Sequence, residues 1–140
     1  MKMYLSRASD YAIRAMAYLA GKPYGSIVLI SDISRAEHIP ELFLRKIIQS
    51  LSRAGLIVSY RGVKGGISLA RPSNEITLLE IIETAQGKLY LNKCLISPES
   101  CDRIGWCPVH RVWVETQAKF LDLLRSHTLD EVALEVAKVA

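Results

Sequence analysis

Apolar residues recur at helical spacing in SDYAIRAMAYL, where Tyr11, Ala12, Ala15, Met16 and Leu19 share one face. That period predicts an amphipathic helix from Ser9 to Leu19, capped by Ser9 or Asp10 and ended by Gly21-Lys22-Pro23. A helix of about two turns is predicted in ISDISRAEHIP, with Ser31 as its cap and Ile33 and Ala36 within it. Pro40 then opens a longer one, PELFLRKIIQSLSRAG, because a proline loses nothing in a first turn whose N–H groups lack helical partners. Leu42, Leu44, Ile47, Ile48 and Leu51 form its apolar stripe and Gly55 closes it, while Arg45, Lys46, Gln49 and Arg53 fall largely on the other side.

The period then changes. LIVSYR and GISLAR are short β-rich runs flanking Gly62-Val63-Lys64-Gly65-Gly66, which predicts a two-stranded hairpin stopped by Pro72. Helix, short helix, longer helix and hairpin, in that order, is the layout of a winged helix-turn-helix. TLLEIIETAQG predicts a further helix capped by Thr77 and closed by Gly87. Residues 88–107 show no period, and a loop of that length inside a compact domain is usually functional or disordered. Pro108 opens VHRVWVETQAKFLDLLRS, in which Val109, Trp113, Thr116, Phe120 and Leu123 step 4-3-4-3 along a heptad-like seam. With Val112, Leu121 and Leu124 added, this face is wider than one small domain easily covers, so the helix is expected to pair two copies of the chain. Thr128 is expected to cap a short last helix. The fold class expected is mainly α with a small β-hairpin wing (a winged helix-turn-helix) plus a long C-terminal dimerisation helix. Its domains are a winged helix-turn-helix at 1–72 and, at 73–140, a cysteine-bearing sensor loop (about 88–107) with the dimerisation helices.

Composition and charge narrow the class. A chain of 140 residues, half of them hydrophobic, with a mean hydropathy of +0.18 fits one folded domain with an appendage. No apolar run reaches the ~18 residues of a membrane helix, and MKMYLSRASDY lacks the apolar stretch of a signal peptide. A cytoplasmic location with reduced thiols is expected, with no membrane partner. Residues 1–72 carry eleven Lys and Arg against four Asp and Glu; residues 73–140 carry seven against ten. A basic first half joined to an acidic second half points to a module that binds a polyanion.

The second helix of a helix-turn-helix enters the major groove of double-stranded DNA. Here that places Pro40, Glu41, Leu42, Arg45, Lys46 and Gln49 at the duplex. The wing adds Arg61 and Lys64 beside Gly65 and Gly66, glycines that let backbone approach the duplex closely, and an arginine there suits the narrow minor groove of A·T-rich DNA. GVKGG lacks the spacing of a phosphate-cradling P-loop. A dimer requires a two-fold symmetric promoter site, with half-sites about one or two turns apart.

All three cysteines lie in CLISPESCDRIGWCPVH, spaced C-x6-C-x5-C-x2-H. Structural zinc sites use a tight C-x2–4-C pair, absent here. Wider spacing suits a larger cofactor, and thiolates are the natural ligands of iron–sulfur clusters. If Pro108 opens the helix, Cys107 sits at its cap and His110 lies one turn on, so both can face one centre. Two rivals stay open: a regulator using its cysteines as a thiol switch or zinc site, and, more remotely, an enzyme with Cys107 as nucleophile and His110 as base.

SDYAIRAMAYLA, IPELFLRKIIQSLSRAGLI, RGVKGGISLARP and the triple cysteine followed by CPVHRVW together resemble the Rrf-two family of winged-helix regulators typified by IscR, NsrR and RirA. The resemblance spans nearly the whole chain. It implies a homodimeric transcription regulator, a repressor, whose cysteine loop holds an iron–sulfur cluster sensing iron or cluster supply, nitric oxide or redox state. Cys94, Cys101 and Cys107 match the family's thiolate ligands. For the fourth, IscR-like members use a histidine, matched by His110, and NsrR-like members an aspartate of the partner subunit, matched by Asp10. His110 is preferred because it is local. The first cysteine gap holds six residues against the family's usual five, leaving two-iron and four-iron clusters both open.

Overall fold

A computed structural model describes residues 5–62 and 65–133. Along the chain run α1 (Arg7–Ala20), α2 (Ile30–Glu37), α3 (Glu41–Arg53), β1 (Ile57–Tyr60), β2 (Gly66–Leu69), α4 (Leu78–Gln86) and α5 (Pro108–Ser126). Single 3₁₀ turns occupy Ser73–Glu75 and Lys93–Leu95. The mainly helical winged helix-turn-helix expected from the sequence is the fold observed.

Helix α1 starts earlier than its apolar period implies. Ser6 is the cap, its Oγ accepting the Ser9 N–H at 3.1 Å. Ser9, expected at the cap, is instead buried inside the helix, where its hydroxyl donates to Gln86 Oε1 at the end of α4. The apolar period starts only at Tyr11, because the residue that the first turn buries is a serine. Ser31 likewise lies within α2, whose cap is Leu29 with no side-chain hydrogen bond. His38 joins α2 to α3 in the left-handed region, at φ 54°.

Pro40 is the N-cap of α3, and Leu44, Ile47, Ile48 and Leu51 are buried as expected. Leu42 is not: it is 79% exposed. Two positions on a helix differ by about 200° of rotation, so a residue two before buried Leu44 faces away from the core. Gly55, at φ +80°, ends this helix in the left-handed conformation glycine tolerates.

β1 and β2 pair antiparallel, from Ile57 opposite Leu69 to Tyr60 opposite Gly66. Val28, unmarked by any pattern in the sequence, adds a bridge: it exchanges two backbone hydrogen bonds with Ile67, both 2.8 Å. A Cβ on Gly66 would sit 2.5 Å from the Val28 carbonyl oxygen. The wing therefore needs glycine there for its own packing.

Helix α4 begins with the expected Thr77 cap, here a reciprocal box. Thr77 Oγ1 accepts the Glu80 N–H at 3.1 Å, and the Glu80 carboxylate accepts the Thr77 N–H at 3.0 Å. Arg71, from just beyond β2, adds an ion pair to Glu80 at 2.8 Å. The chain then returns: Leu78 N–H donates to His127 O, and Leu129 N–H to Ile76 O. Residues 129–133 begin a helix, and the rest of the expected final helix lies outside the described residues. Fully buried Leu129 joins Met16, Ile33, Leu44, Leu51, Ile67, Ile76 and Ile81 in one apolar core, where each such side chain contributes roughly 1.5–3 kcal/mol. The core beneath the wing thus draws on residues well past 72.

Helix α5 buries none of its residues and packs against α4 and the Lys93–Leu95 turn. The predicted seam is divided between its two sides. Trp113 and Phe120 are half-buried against their own chain, while Val109, Thr116 and Leu123 are exposed together with Val112. Among the described residues, no helix is long and apolar enough to cross a membrane.

Candidate nucleic-acid interface and cysteine cavity

The start of α2, the outer face of α3 and the hairpin enclose an open groove of about 530 Å³. It is lined by Ser31, Arg45 and Gln49 from the helices and by Tyr60, Arg61, Gly65 and Gly66 from the hairpin. Pro40, Glu41, Leu42 and Lys46 are exposed on α3 outside that lining. Lys64, expected at the wing tip, lies outside the described residues. Glu41 holds Arg45 at 3.2 Å across one turn, with both side chains about half exposed. Such surface pairs are worth at most about 1 kcal/mol, so the guanidinium is readily given up to another acceptor.

A Cβ on Gly65 would lie 2.5 Å from the Tyr60 carbonyl oxygen. Both wing glycines thus have a reason internal to the fold, whatever they meet outside it. Ser31 and Tyr60 were absent from the sequence-derived interface. Ser31 resembled a cap, and nothing in the sequence set Tyr60 apart from any strand tyrosine. Its hydroxyl accepts a hydrogen bond from Ser68 Oγ at 3.2 Å.

The unpatterned loop and the start of α5 line a second open cavity, of about 520 Å³. Cys94 comes from the Lys93–Leu95 turn, Cys101 from the loop, Cys107 from the N-cap of α5 and His110 from its first turn; all four line the cavity. Trp113 and Ile104 supply apolar wall; Lys93, Arg103, Glu99 and Asp102 supply charges of both signs. The three thiols are unpaired and half-buried. Arg103 also lies over the exposed Trp106 ring, 4.8 Å from its centroid.

The loop is tied down from α5. Gln117 donates to the Leu89 carbonyl and accepts from the Leu91 N–H, bonds that nothing in the sequence pattern announced. Local turns do the rest: Cys107 N–H donates to Arg103 O at 2.8 Å, and His110 N–H to Cys107 O at 3.2 Å.

Among the described residues, His110 Nδ1 is buried and has no hydrogen-bond partner. An orphaned buried polar atom costs about 1–3 kcal/mol, so such an atom wants a ligand. Three thiols plus an imidazole nitrogen make a soft donor set, suited to iron and sulfide. Among the described residues, no three His, Cys, Asp or Glu side chains gather tightly enough to hold a single metal ion. Asp10, the alternative fourth ligand, lies apart within this chain: it is half-exposed on α1 and pairs with Arg14 at 2.8 Å.

The model of the Rrf2 family, described as iron-dependent transcriptional regulators, matches residues 5–135. A protein of Aquifex aeolicus (strain VF5) that carries the name HTH-type transcriptional regulator is 32% identical over 132 residues, spanning 93% of this chain and 91% of that protein. Among solved structures, CymR (YrzC), the global cysteine regulator of B. subtilis, superposes with a TM-score of 0.77 at 25% identity and covers 96% of this chain and 98% of its own. IscR of T. potens gives a TM-score of 0.76 at 26% identity, covering 99% of this chain and 92% of its own. By this match along nearly its whole length, on a winged-helix fold, the chain belongs to the Rrf2 family of transcriptional regulators.

Proposed function

We propose that this DNA-binding regulator holds an iron–sulfur cluster on Cys94, Cys101, Cys107 and His110, and that cluster occupancy sets its grip on promoter DNA. The protein is a transcriptional regulator and not an enzyme, so Cys107 and His110 are read as ligands instead of nucleophile and base. One observation carries the proposal: three free thiols and a histidine with a buried, partnerless Nδ1 line a single cavity.

When bound, a cluster supplies a centre that iron supply, nitric oxide and oxidants alter. The chain's part is mechanical. Cys94 and Cys101 belong to the loop, and Cys107 and His110 to the start of α5, so shared ligation fastens one to the other. The exposed face of α5, with Val109, Val112, Thr116 and Leu123, meets the same face of a second copy. Fastening or releasing the loop then biases the spacing of the two α3 helices, and with it the fit to a two-fold promoter site. A ligand shifts that balance only by its differential affinity for the two states. The dimer acts as a repressor, with Arg45, Gln49 and Arg61 facing the duplex.

Anaerobic purification with iron and sulfide analysis, followed by promoter binding with and without the cofactor, tests this reading. Wild-type protein is expected to be coloured. Cys101→Ser and His110→Ala should lose the visible absorbance, and Asp10→Ala should keep it. Regulation that survives in Cys101→Ser would refute the sensing role. Colourless protein whose DNA binding follows oxidants would support a thiol switch instead, the reading favoured by three unpaired thiols in one cavity. Val112→Glu combined with Leu123→Glu should give a monomer in sedimentation, and an intact dimer would move the interface elsewhere.

A further inference from the structure

Leu42 is the most exposed of the large hydrophobic side chains among the described residues. A single exposed leucine is ordinary on a protein surface; its place on α3 is what matters. It stands in the first turn of the second helix of the helix-turn-helix, where such helices meet base edges. Its neighbours Glu41, Arg45 and Lys46 are exposed and charged, which makes the patch a poor docking site for an apolar protein surface. The next residue, Phe43, has an intramolecular partner, meeting the Tyr11 ring edge-on with centroids 5.5 Å apart. Among the described residues, Leu42 belongs to no packed cluster.

The major groove offers one apolar feature to such a side chain, the C5 methyl group of thymine. We infer that Leu42 is a specificity-determining residue that packs on a thymine methyl in each half-site, so that the regulator requires thymine at that position. This rests on the DNA-binding reading of α3 and goes beyond it by naming the base. The polar neighbours supply the complementary part: Arg45, once released from Glu41, offers a fork to guanine or phosphate. Leu42 then distinguishes thymine from cytosine beside it.

The test removes one methyl at a time. A duplex is selected by the wild-type protein from a random-sequence pool, and each thymine is replaced in turn by deoxyuridine. Losing one buried methyl should weaken wild-type binding about four-fold per half-site, at a single thymine position. Leu42→Ala, whose fold is unaffected because the side chain touches no core, should bind thymine and deoxyuridine duplexes equally. Leu42→Met should retain the preference. An equal loss in wild type and Leu42→Ala, or no position-specific loss in wild type, overturns the inference and leaves DNA binding intact. Failure to enrich any duplex overturns the DNA-binding reading itself.

Discussion

Gln117, in the middle of α5, accepts the Leu91 N–H at 3.0 Å, joining positions 26 residues apart. Its amide N–H₂ donates to the carbonyl of Leu89. A single half-buried side chain therefore satisfies two backbone groups of the segment that leads into the cysteine loop. The cavity wall depends on a residue that is neither a ligand nor apolar.

Gln117→Ala leaves those two groups unpaired, each at a cost of about 1–3 kcal/mol where water cannot replace the bond. A lower urea midpoint and faster hydrogen exchange at the Leu91 amide are expected, with the α1–α3 amides unchanged. Unaltered exchange at Leu91 would show that the loop holds itself.

The wing depends on a close backbone approach. Gly66→Ala would set a Cβ 2.5 Å from the Val28 oxygen, and no rotamer can relieve it because both partners are main chain. The Val28–Ile67 bridge should open, lowering the melting temperature by several degrees and weakening DNA binding with it. Gly105→Ala in the cysteine loop is the control: open space surrounds that position and its φ is ordinary. A change within about 0.5 kcal/mol is expected there. Equal melting of the two variants would remove the case for the bridge.

Glu80 is expected to contribute a pH dependence. Burial pushes its carboxyl up, but the Thr77 N–H and the Arg71 guanidinium outweigh burial and hold it below the ordinary glutamate value. A carboxyl lowered on folding stabilises fully above its unfolded pKa, and that contribution disappears as pH falls through the folded one. Wild type should lose stability on acidification below the ordinary glutamate range. Glu80→Gln, which can still accept the Thr77 N–H, should show a smaller loss over the same range in thermal melts. Parallel pH profiles would assign acid sensitivity to another group. The half-exposed Arg71 pair makes the effect modest.

Elements with an uninterrupted apolar period were legible before any coordinates. The buried faces of α1 and α3, the hairpin, and helix α4 with its Thr77 cap all followed from side-chain spacing and turn chemistry. Caps were less legible. Ser9 and Ser31 resembled helix starts because serine suits that role, yet Ser6 was free to take the first and the second did without one. The stripe on α3 was read one residue too wide, since an apolar residue near a helix start counts toward the period whichever way it faces. The cysteine spacing singled out Cys94, Cys101, Cys107 and His110 as one group; that Trp113, also counted in the dimer seam, forms a wall of their cavity became visible only in the fold.

Taken alone, the order of amino acids determined the kind of elements, their sequence and the chemistry on offer, because those depend on neighbours a few residues away. Tertiary structure decided the pairings between distant segments: Val28 on Ile67, Leu129 under α4, Gln117 on the loop, and a seam on α5 shared between its own chain and the outside. Such contacts arise when separate buried faces settle together at close packing, and the partner that fills a given space is set by the whole assembly.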